Sequence, residues 1–152
     1  MKELIKKYGL APHPEGGYFR EIYRSGICLE SPATKTMRNA ATHIYFLLTA
    51  GQVSRFHQVV HDELWHFYQG APLRLIQYDG NRIKEEVIGP DEGYLSVVPG
   101  NVWQAAESTG AYSLVGCTVA PGFDFEDFSF LSDAPRDMAR FTATQPKFKR
   151  FL

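Results

Sequence analysis

An all-β antiparallel fold with a short helix at each end is what this chain predicts, on three observations. Short runs rich in β-branched and aromatic residues succeed one another, turn-forming residues separate them, and helical patterning is confined to the two ends. Glu3 to Tyr8 reads as the first helix, stopped by Gly9 with Pro12 and Pro14 beyond it. "YFREIYR" then alternates as a strand, Phe19, Glu21 and Tyr23 on one face and Tyr18, Arg20, Ile22 and Arg24 on the other. "THIYFLLT" follows, bounded by Ala50 and Gly51, and further strands are predicted over 63–68, 73–78, 83–88, 94–98, 102–106 and 112–120. Asp79, Gly80 and Asn81 read as a tight hairpin. "SDAPRDMARF" is helical again, with Ser132 or Asp133 available as its N-cap.

Composition narrows the function classes. With 152 residues, 44% of them hydrophobic, the chain has the length and apolar content for one domain, 1–152, with a sizeable core. A formal net charge of −1 and the absence of a Lys/Arg run leave no basic field for a phosphate backbone, so no nucleic-acid partner is expected. The opening "MKELIKKYGL" has no apolar signal-like core, and no apolar run approaches the ~18 residues that cross a bilayer. A cytoplasmic protein without a membrane partner is expected. Cys28 and Cys117 stand far apart without zinc spacing and read as reduced, structural thiols.

The stretch "GQVSRFHQVVHDELWHFYQG" carries the chemistry. It runs Gly51, five residues, His57, one residue, Val59, three residues, Glu63, six residues, Gly70. A second block runs Gly93, five residues, Pro99, Gly100, Asn101, two residues, Gln104. The two blocks resemble the paired motifs of the cupin superfamily, and "HPEGGYFRE", "IYFLL", "DELWHFYQG", "WQAAE" and "YSLVGCTVAPGFDFEDF" resemble its uncharacterised single-domain family often labelled predicted sugar epimerases. That resemblance implies a cupin jelly-roll β-barrel with short terminal helices, an interior ligand pocket reached by His57 and Glu63, and a homodimer formed by exchange of N-terminal segments. "EGGYFRE" is also similar to the opening strand of carbohydrate epimerase cupins. No demonstrated reaction comes with the resemblance, and a fold alone licenses none.

Two departures from the cupin pattern bear on a metal. Val59 stands where the second histidine belongs and Gln104 where the third belongs. First-row metals in such barrels want several imidazoles and a carboxylate at about 2 Å, and a primary amide is a weak donor. Period-two alternation from Glu63 sends His66 to the opposite face. The expectation is therefore no metal and no other cofactor.

Acid–base chemistry is the alternative. His57 is expected to act as base with Glu63 orienting it, as an imidazole and a carboxyl in one apolar pocket would share a proton near neutrality. Arg55 falls on the face of His57 in a regular strand and would neutralise an anionic group of the ligand. Trp65 and Phe67 would wall the pocket, and Gln104 would hydrogen-bond the ligand's oxygens. His13, between prolines, reads as a turn residue; Arg20 and Glu21 as a mutual pair or a dimer contact; His61 as a local loop histidine; Asp124, Glu126 and Asp127 as a solvated acidic rim. Two functional classes stand open: metal-independent isomerase or epimerase chemistry on a small sugar-like or polar carbonyl compound, and a non-catalytic small-molecule binding protein using the same pocket. Metal-dependent oxygenase chemistry is the third option.

Overall fold

The computed structural model describes residues 2–152. After helix α1 (Lys2–Tyr8) come the two-residue strand β1 (Ala11–Pro12) and the strands β2 (Tyr18–Arg24), β3 (Cys28–Glu30), β4 (Met37–Asn39), β5 (Thr42–Thr49), β6 (Val53–Val59) and β7 (Asp62–Gly70). They are followed by β8 (Leu73–Tyr78), β9 (Ile83–Ile88), β10 (Leu95–Val98), β11 (Trp103–Ser108), β12 (Tyr112–Ala120), β13 (Phe128–Phe130) and helix α2 (Pro135–Thr144). Two antiparallel sheets face each other, one ordered β1-β2-β5-β12-β7-β10 and the other β13-β6-β11-β8-β9, with β3 and β4 as a separate hairpin. This is a cupin-like jelly roll, whose strand ladders do not close into a continuous barrel.

Alternation along the strands divides the apolar residues into three clusters. Between the sheets, Phe46, Leu48, Trp65, Phe67, Leu75 and Val115 are fully or almost fully buried, and the indole of Trp65 meets the ring of Phe46 edge-on at 5.8 Å. The outer face of the second sheet presents Phe56, Ile76, Tyr78 and Trp103, and α2 with the following turn covers them with Phe141, Phe148 and Phe151. Helix α1 covers the outer face of the first sheet, setting Leu4, Ile5 and Tyr8 against Leu47 and Leu114. Each terminal helix thus buries apolar surface that a single sheet layer would leave wet.

The β8–β9 hairpin forms where Asp-Gly-Asn predicts it, with Asp79 Oδ1 accepting the backbone N–H groups of Asn81 and Arg82, both at 2.8 Å. The start of α2 differs from expectation. Ser132 and Asp133 lie in a preceding 3₁₀ turn, and the helix begins at Pro135 with Ala134 at the N-cap and no side-chain cap. Proline at the first helical position supplies a preset φ and needs no hydrogen bond, so the helix starts on it. Among the described residues no helix is long and apolar enough to cross a membrane.

Two bulges set what faces inward. On β2, Glu21 pairs with Ile44 but Tyr23 with His43, so Ile22 is an extra residue and the alternation resets. Phe19, Glu21 and Arg24, not Tyr23, consequently share the inner face. On β6, His57 pairs with Gln104 but Ser54 with Ala106, so Arg55 and Phe56 together oppose Ala105. Ser54 and His57 therefore both look inward, and Arg55 is displaced.

Candidate active site

The aromatic core fills one end of the space between the sheets; the other end is a cavity of about 250 Å³. His57 and Val59 reach it from β6, Glu63 from β7, Cys117 and Val119 from β12, and Thr42 and Ile44 from β5. His57 and Glu63 thus come from opposite sheets. Glu63 stands at the cavity because it precedes Trp65 on the same face of β7, and that ring already belongs to the core.

Glu15 and His13 complete the interior, carried by the connection between β1 and β2. Gly16 and Gly17 allow that connection to lie flat against the sheets. A Cβ on Gly16, at φ +115°, would sit 2.1 Å from the Val53 carbonyl oxygen, and one on Gly17, at φ +70°, 2.6 Å from that of Leu47. The Arg55 backbone N–H donates to the Glu15 carbonyl at 2.8 Å and the His13 N–H to that of Gly17 at 3.0 Å, pinning the segment. The Glu15 side chain is thereby driven inward, where Oε1 accepts the Ser54 hydroxyl at 2.8 Å.

The hydrogen bonds assign the protons. His57 Nδ1 lies 2.7 Å from the Arg55 carbonyl oxygen, which can only accept, so Nδ1 carries the proton of the neutral ring and Nε2 keeps its lone pair. Nε2 lies 3.2 Å from Glu15 Oε2. A lone pair facing a carboxyl oxygen needs a proton between them, either as the acid Glu15 or as the imidazolium His57. His13 Nδ1 accepts the Glu15 backbone N–H at 3.2 Å and stands 3.5 Å from the same Oε2. Glu15 is therefore the direct partner of His57, while Glu63 acts on the ring by its charge.

Between the sheets, the Trp65 indole N–H of β7 donates to Gln104 Oε1 of β11 at 2.8 Å. Indole is a donor only, so the amide of Gln104 is turned with its NH₂ toward Glu63, to which it donates at 2.5 Å. Burial raises the Glu63 carboxyl to about 7, against the lowering effects of the His57 charge and the Gln104 hydrogen bond. Burial likewise raises Glu15 and lowers His57 and His13. The Cys117 thiol is pushed well above its usual range by burial and by Glu63, which keeps it protonated and weakly nucleophilic.

The site residues expected from sequence are distributed as follows. His57 and Glu63 line the cavity. Arg55 does not, because the bulge turns it away to lie over the Phe130 ring at 4.4 Å and to donate to the Pro14 carbonyl at 2.9 Å. Trp65 and Phe67 are core residues packed beyond the cavity, and Gln104, on β11 beside His57, is fully buried with its amide committed at both ends to residues of β7. His66 points to the outer face, where it meets Thr118 Oγ1 at 3.1 Å and His43 ring to ring at 5.7 Å. His13 is a buried cavity residue rather than a free turn residue.

Charges elsewhere also depart from expectation. Glu21 pairs with Arg24, not Arg20, because the bulge at Ile22 brings both to one face. Asp127 is buried and takes a bidentate contact from Arg38 at 2.7 and 2.9 Å; it fastens the β3–β4 hairpin rather than forming a solvated rim. His61 belongs to the same lock, 2.7 Å from Ser31 Oγ and 3.7 Å from Asp127.

A metal does not suit this set of donors. Val59 offers no ligand atom, the Gln104 oxygen is taken by Trp65, and His57 is held between the Arg55 carbonyl and Glu15. Among the described residues no three His, Cys, Asp or Glu side chains are grouped to hold an ion.

Comparison with known proteins fits this architecture. The chain is 33% identical to the uncharacterized protein YML079W of Saccharomyces cerevisiae, over 86% of this chain and 75% of that protein. Among solved structures, protein SO0799 from Shewanella oneidensis is similar at 32% identity and TM-score 0.83, over 98% of this chain and 92% of that one. A hypothetical protein from Leishmania major is similar at 29% identity and TM-score 0.80, over 94% and 97%. Distant neighbours share the fold alone: an oxalate decarboxylase of Bacillus subtilis (16% identity, TM-score 0.63) and a dTDP sugar isomerase of Desulfovibrio desulfuricans (15%, 0.54). Residues 2–131 match the family described as "Cupin superfamily (DUF985)", and the chain belongs to that family.

Proposed function

We propose that the cavity performs metal-independent acid–base isomerisation, an epimerisation or tautomerisation, of a small polar carbonyl compound, with Glu63 and His57 as the catalytic pair. The observation that carries this reading is the placement of two proton-holding groups on opposite sheets around one cavity: Glu63 at about 7, and the His57–Glu15 pair at 3.2 Å. A general base works best with a pKa near the working pH, and inversion needs a proton removed on one side of a carbon and returned on the other. Ionised Glu63 takes the proton from the carbon beside the carbonyl, giving an enolate and a protonated Glu63. The His57–Glu15 pair delivers its proton to the opposite face, and solvent returns the pair and Glu63 to their starting states. Gln104, turned by Trp65, favours the ionised Glu63 that the first step needs.

Proton NMR of the purified protein with small hydroxy-carbonyl compounds tests the reading. An epimer or isomer should appear, and should fail to appear with His57→Ala or Glu63→Gln proteins that remain folded by circular dichroism. Conversion undiminished in both variants would overturn the assignment. The rival reading, binding without turnover, is favoured by one observation: Glu63, Gln104 and Trp65 already satisfy one another. A ligand that binds and emerges unchanged would select it.

The same reading includes a homodimer joined along β2. Its edge beyond Phe19 is not paired by β1, and Ile22 and Tyr23 there are 42% and 54% exposed. Within the segment from His13 to Ser25, Tyr18 to Arg24 pair with β5 of their own chain on the other edge, so a partner would extend the sheet.

A further inference from the structure

We propose that the cavity selects an uncharged, hydroxyl-rich molecule of about monosaccharide size and rejects its phosphorylated, nucleotide-linked and carboxylated analogues. This rests on the cavity being the functional site, as above, but does not depend on turnover.

Charge is the first argument. Four carboxyl side chains, Glu15, Glu21, Glu63 and Asp124, line the cavity against a single arginine, Arg24. Recognition of a carboxylate or phosphate uses a free guanidinium fork. Arg24 has none to offer. Its Nε and Nη2 bind the two oxygens of Glu21 at 2.9 and 2.8 Å, and Nη1 binds Asn39 Oδ1 at 2.8 Å. Nη1 and Nη2 both also reach the Phe123 carbonyl at 3.2 Å. Arg55, the other nearby cation, is held outside by Phe130 and Pro14. Among the described residues, an anion entering the cavity therefore meets carboxyl groups with no unclaimed arginine on its lining.

The chemistry of the walls comes second. Phe19, Phe123, Phe125 and Phe128 supply aromatic surface, and the Phe128 ring stacks on His57 at 5.3 Å. Such rings suit the C–H faces of a hydroxylated ring or chain, and the edges of that molecule need groups that both donate and accept. Glu63, held toward its protonated form, offers a carbonyl oxygen or an O–H from the oxygen that Gln104 does not occupy, and His13, whose Nδ1 accepts the Glu15 N–H, adds a ring N–H.

Size is the third. At about 250 Å³ the cavity is smaller than the roughly 300–1,000 Å³ that encloses a drug-sized ligand. A monosaccharide-sized molecule fits, and a nucleotide appendage would have to lie outside, beside the exposed lining residue Phe125. The distant sugar-nucleotide isomerase neighbour shares the fold without that consequence for this chain.

The test is titration calorimetry at neutral pH with matched sets: free aldoses and ketoses, their 6-phosphates, the corresponding uronates, the corresponding amino sugars and a dTDP-linked sugar. The expected result is measurable affinity for at least one neutral member, with its phosphate and uronate at least tenfold weaker. Glu21→Gln, which releases the Arg24 fork, should raise the uronate-to-neutral affinity ratio at least tenfold. A phosphate, uronate, amino sugar or nucleotide sugar that binds more tightly than its neutral parent overturns the proposal, as does a complete lack of binding by the neutral members. Binding of a neutral sugar without conversion would leave this proposal standing and remove the isomerase reading; conversion of a tightly bound anion would do the reverse.

Discussion

Replacing Glu63 by glutamine should make the protein more stable at alkaline pH, by an amount the structure sets. The carboxyl is fully enclosed and titrates at about 7 in the folded chain against an ordinary 4.5. Below 4.5 it is protonated in both states and is neutral in its effect on folding. Between 4.5 and about 7 the unfolded chain has released the proton and the folded chain still holds it, so stability falls as pH rises. At about 1.4 kcal/mol per pH unit, the loss reaches about 3 kcal/mol by pH 7 and then levels off. Glutamine keeps the shape and the contact with Gln104 without titrating. His57 and His13, lowered by burial, pull the other way, losing stability as pH falls below 6.5; both proteins contain them, and the two proteins differ only in the part of the His57 titration that the Glu63 charge sets. Urea unfolding of wild type and Glu63→Gln across this range should give a stability difference that moves by about 3 kcal/mol in favour of the variant between pH 4.5 and about pH 8. A difference that stays flat would mean that Glu63 titrates normally, and the acid–base reasoning for the site would fail.

Three further outcomes follow from the geometry. Trp65→Phe removes the indole donor that orients Gln104; the amide can then turn its oxygen to Glu63 and favour the protonated acid. The loss of a hydrogen bond to a charged group, about 1.5–3 kcal/mol, corresponds to a rise of about one to two pH units in the Glu63 titration, read by carboxyl-¹³C NMR. His57→Ala opens onto an existing cavity and should lower stability clearly less than Trp65→Ala, which removes a fully buried ring at about 3–5 kcal/mol; equal losses in thermal unfolding would make His57 structural. Ile22→Glu with Tyr23→Glu should convert a dimer to monomer by light scattering with the fold intact, and a dimer that persists would move the contact elsewhere.

The strands were legible because their β-branched and aromatic runs are short and separated by residues with turn chemistry, as Asp79-Gly80-Asn81 shows. The spacing of the two motif blocks picked out His57 and Glu63, and both do line the cavity. Regular alternation puts Arg55 and Arg24 on the wrong faces for one reason: a bulge adds a residue and reverses every alternation beyond it, and nothing in a period-two pattern announces it. Trp65 and Phe67 have the parity of Glu63, but parity does not say how deep along a strand the cavity ends and the core begins. Glu15 and His13 sit among prolines and glycines that read as a turn; their burial depends on the close approach of Gly16 and Gly17 to backbone carbonyls of β6 and β5. The glycine pair beside a glutamate was the available signal. Asp127 looked solvated because its partner Arg38 lies 89 residues away in sequence.

The measurement that tests the acid–base account most directly is deuterium incorporation from heavy water. A carbon-bound hydrogen removed by Glu63 and replaced from the His57–Glu15 pair must exchange with solvent, so a converted substrate should gain deuterium at the reacting centre, read by mass spectrometry. Incorporation should fall as pH drops through about 7, where Glu63 becomes protonated, and should vanish in Glu63→Gln. Conversion without isotope uptake, or uptake undiminished in Glu63→Gln, would contradict the account.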